Sequence, residues 1–406
     1  MNPMSATHVH TPFAASAISG HLDTRTAATE IADRLFDEFL PHASVCDLAL
    51  IFGSYHHRSA FDDAAAVVRK TLNPGAMIGV TAEAVLGNDR ELEGVAGMSV
   101  MAMRLPGATV TAWHATPEDP MPLGDPAAMR ARIGFDQPFR AAIMFGDPFT
   151  TPVTKLIPAL SGCASPHRVP IVGGMASGAS QPGLNALVIN DRTMNAGAVG
   201  VSIAGGHLDF DFIVSQGCRP IGQPHVITQC KRNVILELGG RKAMEVLQET
   251  AHSLSDAEKR LLSRGLLMGT VINEYKDRFG RGDFLVKNLM GFDQRVGGIA
   301  AGELCKVGQT IQFHVRDAAT ADEDLQLLLD GQALNPNPPF AAMLFGCNGR
   351  GEKLFGRPNH DISVVRERLG EIPVAGFFAA GEFGPIGDRS FLHGHTASLM
   401  VMRGRA

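Results

Sequence analysis

The apolar positions of this chain fall into short runs, and three of them share one ending. Ala49-Leu50-Ile51-Phe52-Gly53, Ala142-Ile143-Met144-Phe145-Gly146 and Ala342-Met343-Leu344-Phe345-Gly346 each close on Phe-Gly. Apolar runs this short, stopped by glycine, predict buried strands rather than helices. After the first, Ser59 with Asp62 three residues later resembles a capping box, and Phe61, Ala64, Ala65, Val68 and Leu72 line one helical face ended by Asn73-Pro74-Gly75. After the third, Asp361 is placed to cap a helix whose face is Ile362, Val365 and Leu369, with Gly370 past its end. The second helix is marked only by Thr151-Pro152 and by Val153, Leu156, Ile157 and Leu160.

A second apolar strand follows each helix and reaches glycine at Gly79, Gly173 and Gly376. The glycine-to-glycine intervals are 26, 27 and 30 residues, which fit a strand, a helix and a strand joined by short loops. Small-residue loops (81–94, 174–183 and 379–388) lead to a further strand, so each unit reads β-α-β-loop-β. The segment 233–316 is expected to be a fourth, less regular relative, with a strand at 234–238 and a helix at 255–264 opened by a Ser255/Glu258 capping box. A strand at 310–316 alternates Ile311, Phe313 and Val315 on one face.

At 406 residues the chain exceeds what one growing core sustains, so two domains are expected. The hydrophobic fraction of 45% and charged fraction of 19% are those of a globular protein. A net charge of −5 gives no reason to expect nucleic acid or an anionic membrane as partner. Six cysteines without a C-x-x-C pair signal neither zinc ribbon nor disulfide framework. No Lys or Arg precedes Arg25, no signal-like apolar core follows, and no run approaches the roughly eighteen apolar residues of a membrane span. The expectation is a soluble, cytoplasmic protein: a flexible tail at 1–28, one domain at 29–231 and another at 232–406. The fold class is α/β leaning to α+β, with repeated β-α-β-β units forming mixed sheets flanked by helices in two related halves.

Two passages are the most specific: "LFGCNGRGEKLFG" at 344–356 and "GFFAAGEFGPIGDRSFLHGHTASLMV" at 376–401. With "MIGVTAEAVLGNDRELEG" at 77–94 and "GGRKAMEVLQE" at 239–249, they resemble the FIST family, whose pattern has a C-x-G-R-G turn after a strand and a G-E-x-G-P-x-G-x-R-x-F-L-H passage near the end. The resemblance runs from about residue 45 to 402. It implies paired FIST N and FIST C domains and a sensory protein that binds a small molecule, an amino acid or similar polar metabolite. Some relatives bind haem and sense nitric oxide. Many accompany a kinase, cyclase or chemoreceptor, so signalling here is expected to pass to a histidine kinase or cyclase in trans.

The candidate ligand-binding residues are Glu83, Cys347, Asn348, Arg350, Glu382, Arg389 and His393. The glycines around Asn348 and Arg350 suit convergent backbone amides beside a guanidinium, a geometry for an anion; the alternative is a tight turn whose arginine pairs with a neighbouring acid. Glu382 and Arg389 are placed to close across a turn, and His393 with His395 to project from one strand face, as ligands or as structural groups. Glu83 can hold an amine, or with Glu91 and Glu93 be an exposed loop charge. Asn190-Asp191-Arg192 reads as a hairpin-like turn. His56-His57 is a candidate axial pair for haem, or a polar loop. A thiol-dependent amidase using Cys347, His393 and Glu382 is a third reading, but no G-x-S-x-G elbow, H-E-x-x-H helix or Walker loop occurs, and no catalytic residue or metal site is assigned.

Overall fold

The structure, a computed structural model, describes residues 11–405 except 40, 44, 135–138 and 263–264. The first described elements are β1 (Phe13–Ser19) and α1 (Thr24–Phe39). Residues 11–28 are therefore not the tail expected from their polar start: six of the seven β1 positions are buried. The small residues of Phe-Ala-Ala-Ser-Ala-Ile-Ser conceal a strand because they lack β-branched alternation. Residues 1–10 of the expected tail lie outside the described residues.

Repeat one comprises β2 (Leu48–Ser54), a 3₁₀ turn (Tyr55–Ala60), α2 (Phe61–Leu72), β3 (Ala76–Ala82), β4 (Val85–Gly87), β5 (Arg90–Leu92), β6 (Met98–Arg104) and β7 (Ala108–Ala115). After α3 (Pro126–Arg132), repeat two runs through β8 (Phe139–Gly146), α4 (Val153–Gly162), β9 (Ile171–Met175), β10 (Leu187–Ile189), β11 (Arg192–Met194), β12 (Ala198–Gly205) and β13 (Leu208–Gln216). A long insertion follows: β14 (Cys218–Lys231), β15 (Val234–Leu238), β16 (Arg241–Lys242), α5 (Ala243–Ser253), α6 (Asp256–Leu262), β17 (Leu266–Val271), β18 (Phe284–Asp293), β19 (Gly298–Ala301), β20 (Thr310–Arg316) and α7 (Ala318–Gln332). Repeat three closes the chain with β21 (Pro339–Cys347), α8 (Glu352–Phe355), α9 (His360–Leu369), β22 (Val374–Ala379), β23 (Glu382–Ile386), β24 (Arg389–His393) and β25 (Thr396–Gly404).

Mixed sheets flanked by helices are present, as the patterning predicts, and the recurring unit occurs three times. The sheets run β1-β6-β2-β3-β10-β11, β7-β12-β8-β9-β23-β24 and β13-β25-β21-β22-β4-β5. Each centres on a parallel pair, β2/β3, β8/β9 or β21/β22, and each borrows strands from the other repeats. The loops expected after the second strand are in fact hairpins that leave home: β4–β5 joins the sheet of repeat three, β10–β11 that of repeat one, and β23–β24 that of repeat two. The strands that follow β6 and β12 also cross over, β7 onto β12 and β13 onto β25, while β1 fills the corresponding place on β6. The three equivalent phenylalanines Phe52, Phe145 and Phe345 meet in one core, their ring centroids 5.4, 6.2 and 5.9 Å apart. Each parallel pair approaches so closely at Ile51/Gly79, Met144/Gly173 and Leu344/Gly376 that a Cβ on the glycine would overlap its partner's carbonyl oxygen. That overlap explains why the three spaced glycines are there.

The described residues group into two compact units, 11–214 with Gln326–Leu392 and 397–405, and Ser215–Leu325 with His393–Thr396. The first holds the three sheets above. In the second, seven strands ordered β14-β20-β17-β18-β19-β15-β16 pair antiparallel in every described ladder. It lacks the parallel pair that defines the repeats, so 233–316 is not a fourth relative. The division expected near 231 falls in the β14–β15 hairpin. The Ser255/Glu258 capping box forms reciprocally, with the Ser255 amide 3.0 Å and its hydroxyl 2.7 Å from Glu258 Oε2, and the Glu258 amide 3.3 Å from Ser255 Oγ. Ser59/Asp62 does not form one, because the 3₁₀ turn runs on to Ala60. Among the described residues, no helix is long and apolar enough to cross a membrane.

Candidate functional site

The bends after β3, β9 and β22 converge within the first unit. The Glu83 amide donates to Ser177 Oγ at 2.8 Å, and that hydroxyl donates on to the Phe378 carbonyl. Gly178 N donates to Thr81 O at 3.3 Å, Phe378 N to Ala84 O at 3.0 Å, and Met175 N to Gly381 O at 2.8 Å. Each repeat thus ties its strand end to the other two. The hydrogen-bonding capacity left at strand ends is where parallel sheets present binding groups.

The rim of this face carries charge. Glu83 pairs with Lys353 of α8 at 2.7 Å, both partly in water. The Glu352 amide donates to Glu93 Oε1 at 2.9 Å. Asn348 is half-buried beside Cys347, whose thiol lies 3.8 Å from Asn348 Oδ1. Gly351, at φ 65°, faces the Glu93 carboxylate so closely that any side chain would collide with it.

Beneath the rim lies a polar cluster without access to water. Arg350 is 0% exposed, and its Nε and Nη2 donate to the two Asp361 oxygens at 2.6 and 2.9 Å. His360 Nδ1 lies 3.0 Å from Asp361 Oδ1, and its ring stacks on Phe355 with centroids 3.4 Å apart. Burial alone would push the Asp361 carboxyl up; the Arg350 charge and the His360 hydrogen bond outweigh it and hold the group below the usual carboxylate range. Glu91 arrives from the β4–β5 hairpin of repeat one. Its Oε1 accepts from the Ile362 amide at 2.9 Å, while its own amide donates to Asn359 Oδ1 at 2.7 Å. Burial, and then the neighbouring Asp361 charge, push the Glu91 carboxyl up to about 8. It is therefore largely protonated at neutral pH and fastens repeat one to the first turn of α9.

The sequence-derived residues do not gather in one place. Glu83, Cys347 and Asn348 belong to the strand-end face. Arg350 lies beneath it, its guanidinium committed to Asp361; this is the neighbouring-acid alternative, and Asp361 is in the first helical turn rather than at the cap, which is Asn359. Glu382 is buried at the start of β23. Arg389 does not close onto it: the guanidinium lies 5.2 Å over the Phe391 ring at the exposed end of the β23–β24 turn, and Asp388 pairs with Arg168 at 3.3 Å. The two residues sit at opposite ends of a hairpin, and a strand's length separates them. His393 is buried in the second unit, where β24 ends, and His395 lies beyond it at φ 64° with Nε2 2.9 Å from Asn288 Oδ1. The pair therefore does not share a strand face. His56 stacks on Tyr55, and buried His57 has Nδ1 3.0 Å from Thr24 Oγ1. Sequence reasoning missed the Glu91–His360–Asp361 grouping. One signal was available, the Asn88-Asp89-Arg90, Asn190-Asp191-Arg192 and Gly387-Asp388-Arg389 turns, whose leading residues all take φ near +50 to +60° and mark equivalent hairpins.

With this geometry in place, residues 47–241 match the FIST N domain and residues 243–385 the FIST C domain. The chain belongs to the FIST family. It is 38% identical over 381 residues to a Mycobacterium tuberculosis protein described as uncharacterized, covering 93% of this chain and 96% of that one. A Mycobacterium bovis protein of the same description is 38% identical over 386 residues, with the same coverage. Among solved structures, a cyanuric acid hydrolase from A. caulinodans aligns over 98% of this FIST chain and 100% of its own at 8% identity and a TM-score of 0.37, a likeness too low to carry argument. The FIST N match spans repeats one and two, and the FIST C match begins in the inserted unit and ends within repeat three.

Proposed function

We propose that this FIST protein is a ligand-binding sensor whose ligand is a zwitterion of amino-acid size held at the strand-end face between Glu83 and Lys353. The observation that carries the reading is their 2.7 Å ion pair, placed where the bends of all three repeats are hydrogen-bonded together. A pair exposed to this degree contributes at most about 1 kcal/mol to stability, so opening it costs little. A zwitterion offers each partner a replacement: its ammonium for Glu83, its carboxylate for Lys353. Binding there would tighten the contacts among three repeats at once, a change that a kinase or cyclase in trans could read.

Thermal denaturation against a panel of free amino acids tests this. A binding member raises the midpoint with concentration, and E83Q and K353M each weaken that response at least about tenfold, as ligand linkage requires. No shift with any member, or undiminished shifts in both variants, overturns it.

A further inference from the structure

A different surface of the first unit holds two cavities related by the repeats. One, of about 490 Å³, lies between the β4–β5 turn and the end of α9, and Arg34, Arg90 and Arg366 line it. The other, of about 400 Å³, lies between the β10–β11 turn and α2, with Arg69, Lys70 and Arg192 in its lining. Arg366 and Arg69 are equivalent positions, each ten residues before its repeat's close-packed glycine, Gly376 or Gly79, and Arg90 and Arg192 are the equivalent turn arginines.

The two cavities differ in how their cations are satisfied. In the first, Arg366 pairs with Glu371 at 2.8 Å, Arg34 with Glu38 at 2.9 Å, and Arg90 donates to the Ile18 carbonyl at 3.2 Å. In the second, none of Arg69, Lys70 and Arg192 has an acidic side chain within ion-pair distance among the described residues. Arg69 moreover keeps Nη1 buried without a hydrogen-bond partner. A guanidinium N–H held out of water without a partner costs free energy, and among the described residues no acid within ion-pair distance offsets the charge that this side chain brings to the cavity lining. Two acids also line this cavity. Asp62 is seven residues before Arg69 on the same helix, about 10 Å along its axis, which leaves Asp191 as the acid nearest the three cations in sequence. The C-terminal carbonyls of α2 oppose an anion with only about half an elementary charge, less than the surplus of cations.

We infer that the cleft between α2 and the β10–β11 turn is a second, separate binding site, built for a small doubly charged oxyanion, a phosphoryl group or a dicarboxylate, held by Arg69, Lys70 and Arg192. The test is calorimetric titration of the full chain with inorganic phosphate, glycerol phosphate and succinate at fixed ionic strength. Saturable binding of any of them is expected, and the one bound most tightly distinguishes the phosphoryl from the dicarboxylate source. R192Q, on an exposed turn, weakens it at least about tenfold, and R69Q does the same. R366Q, in the related cavity, leaves it unchanged. Absence of saturable binding by all three probes, or equal weakening by R366Q and R192Q, overturns the assignment, the latter because it would reduce the site to general surface charge.

Discussion

Arg350 and Asp361 are both out of water, and each is tolerable there only because of the other. D361N should therefore destabilise the fold by about 3–5 kcal/mol, since it strands a buried guanidinium. Urea unfolding of D361N beside the double variant R350M/D361L checks this: the double variant should recover much of the loss, and a D361N midpoint equal to wild type would show that the pair holds nothing. Glu91 behaves in the opposite sense. Its carboxyl titrates near 4.5 when unfolded and at about 8 when folded, so between those values the folded state binds the extra proton. The stabilisation is complete below about pH 4.5 and is lost as pH rises through 8, whereas that from Asp361 is lost only in acid, below the ordinary value of 3.8. E91Q should flatten the fall in denaturation midpoint between pH 5 and 8 that wild type shows. That Arg350 would meet an acid was readable from its turn. That Glu91 would join them was not, because 270 residues separate it from Asp361 and only the crossing hairpin brings them together.

At the scale of elements, the close approach of the parallel strands makes a sharp demand. Gly376→Ala sets a methyl against the Leu344 carbonyl and must part β21 from β22, at a cost of about 1–3 kcal/mol or more. Ala375→Gly, one position away in the same strand, exerts no such pressure. Comparing their melting midpoints and the amide exchange of β22 checks the prediction, and selective loss of protection in β22 is expected only in the first. The glycine spacing, the Phe-Gly strand ends and most helical faces were legible because each is a local pattern of period 2 or 3.6. The hairpins read as loops because strands of three residues, such as 85–87 and 187–189, are too short to display alternation, and their partners are chosen by tertiary pairing. Similarly β1, assembled from alanine and serine, takes its identity from β6 rather than from its own composition.

The whole first unit is a closed cycle of three, and β1 stands where a strand following β25 would belong. Its start lies beside the end of β25: a Cβ on Gly404 would be 3.2 Å from Pro12 Cγ. A circular permutant that joins 404 to 12 by a short linker and opens the chain at the Pro106–Gly107 turn should therefore fold, with a circular dichroism spectrum and melting profile near those of the parent; failure to fold would mean that the strands do not occupy equivalent places. The same interlocking has a temporal cost during biosynthesis. The sheet of repeat one has all its strands by residue 194, but β4–β5 must wait from residue 92 until β22 begins at 374. At about 5–20 residues per second that is roughly 15–55 s in which a strand edge stands open to wrong partners. Ribosome-bound chains stalled near residue 300 should be cut by protease at 85–92 while the released full-length protein resists, which makes the ribosome exit, rather than the finished molecule, the point at which this protein most needs a chaperone.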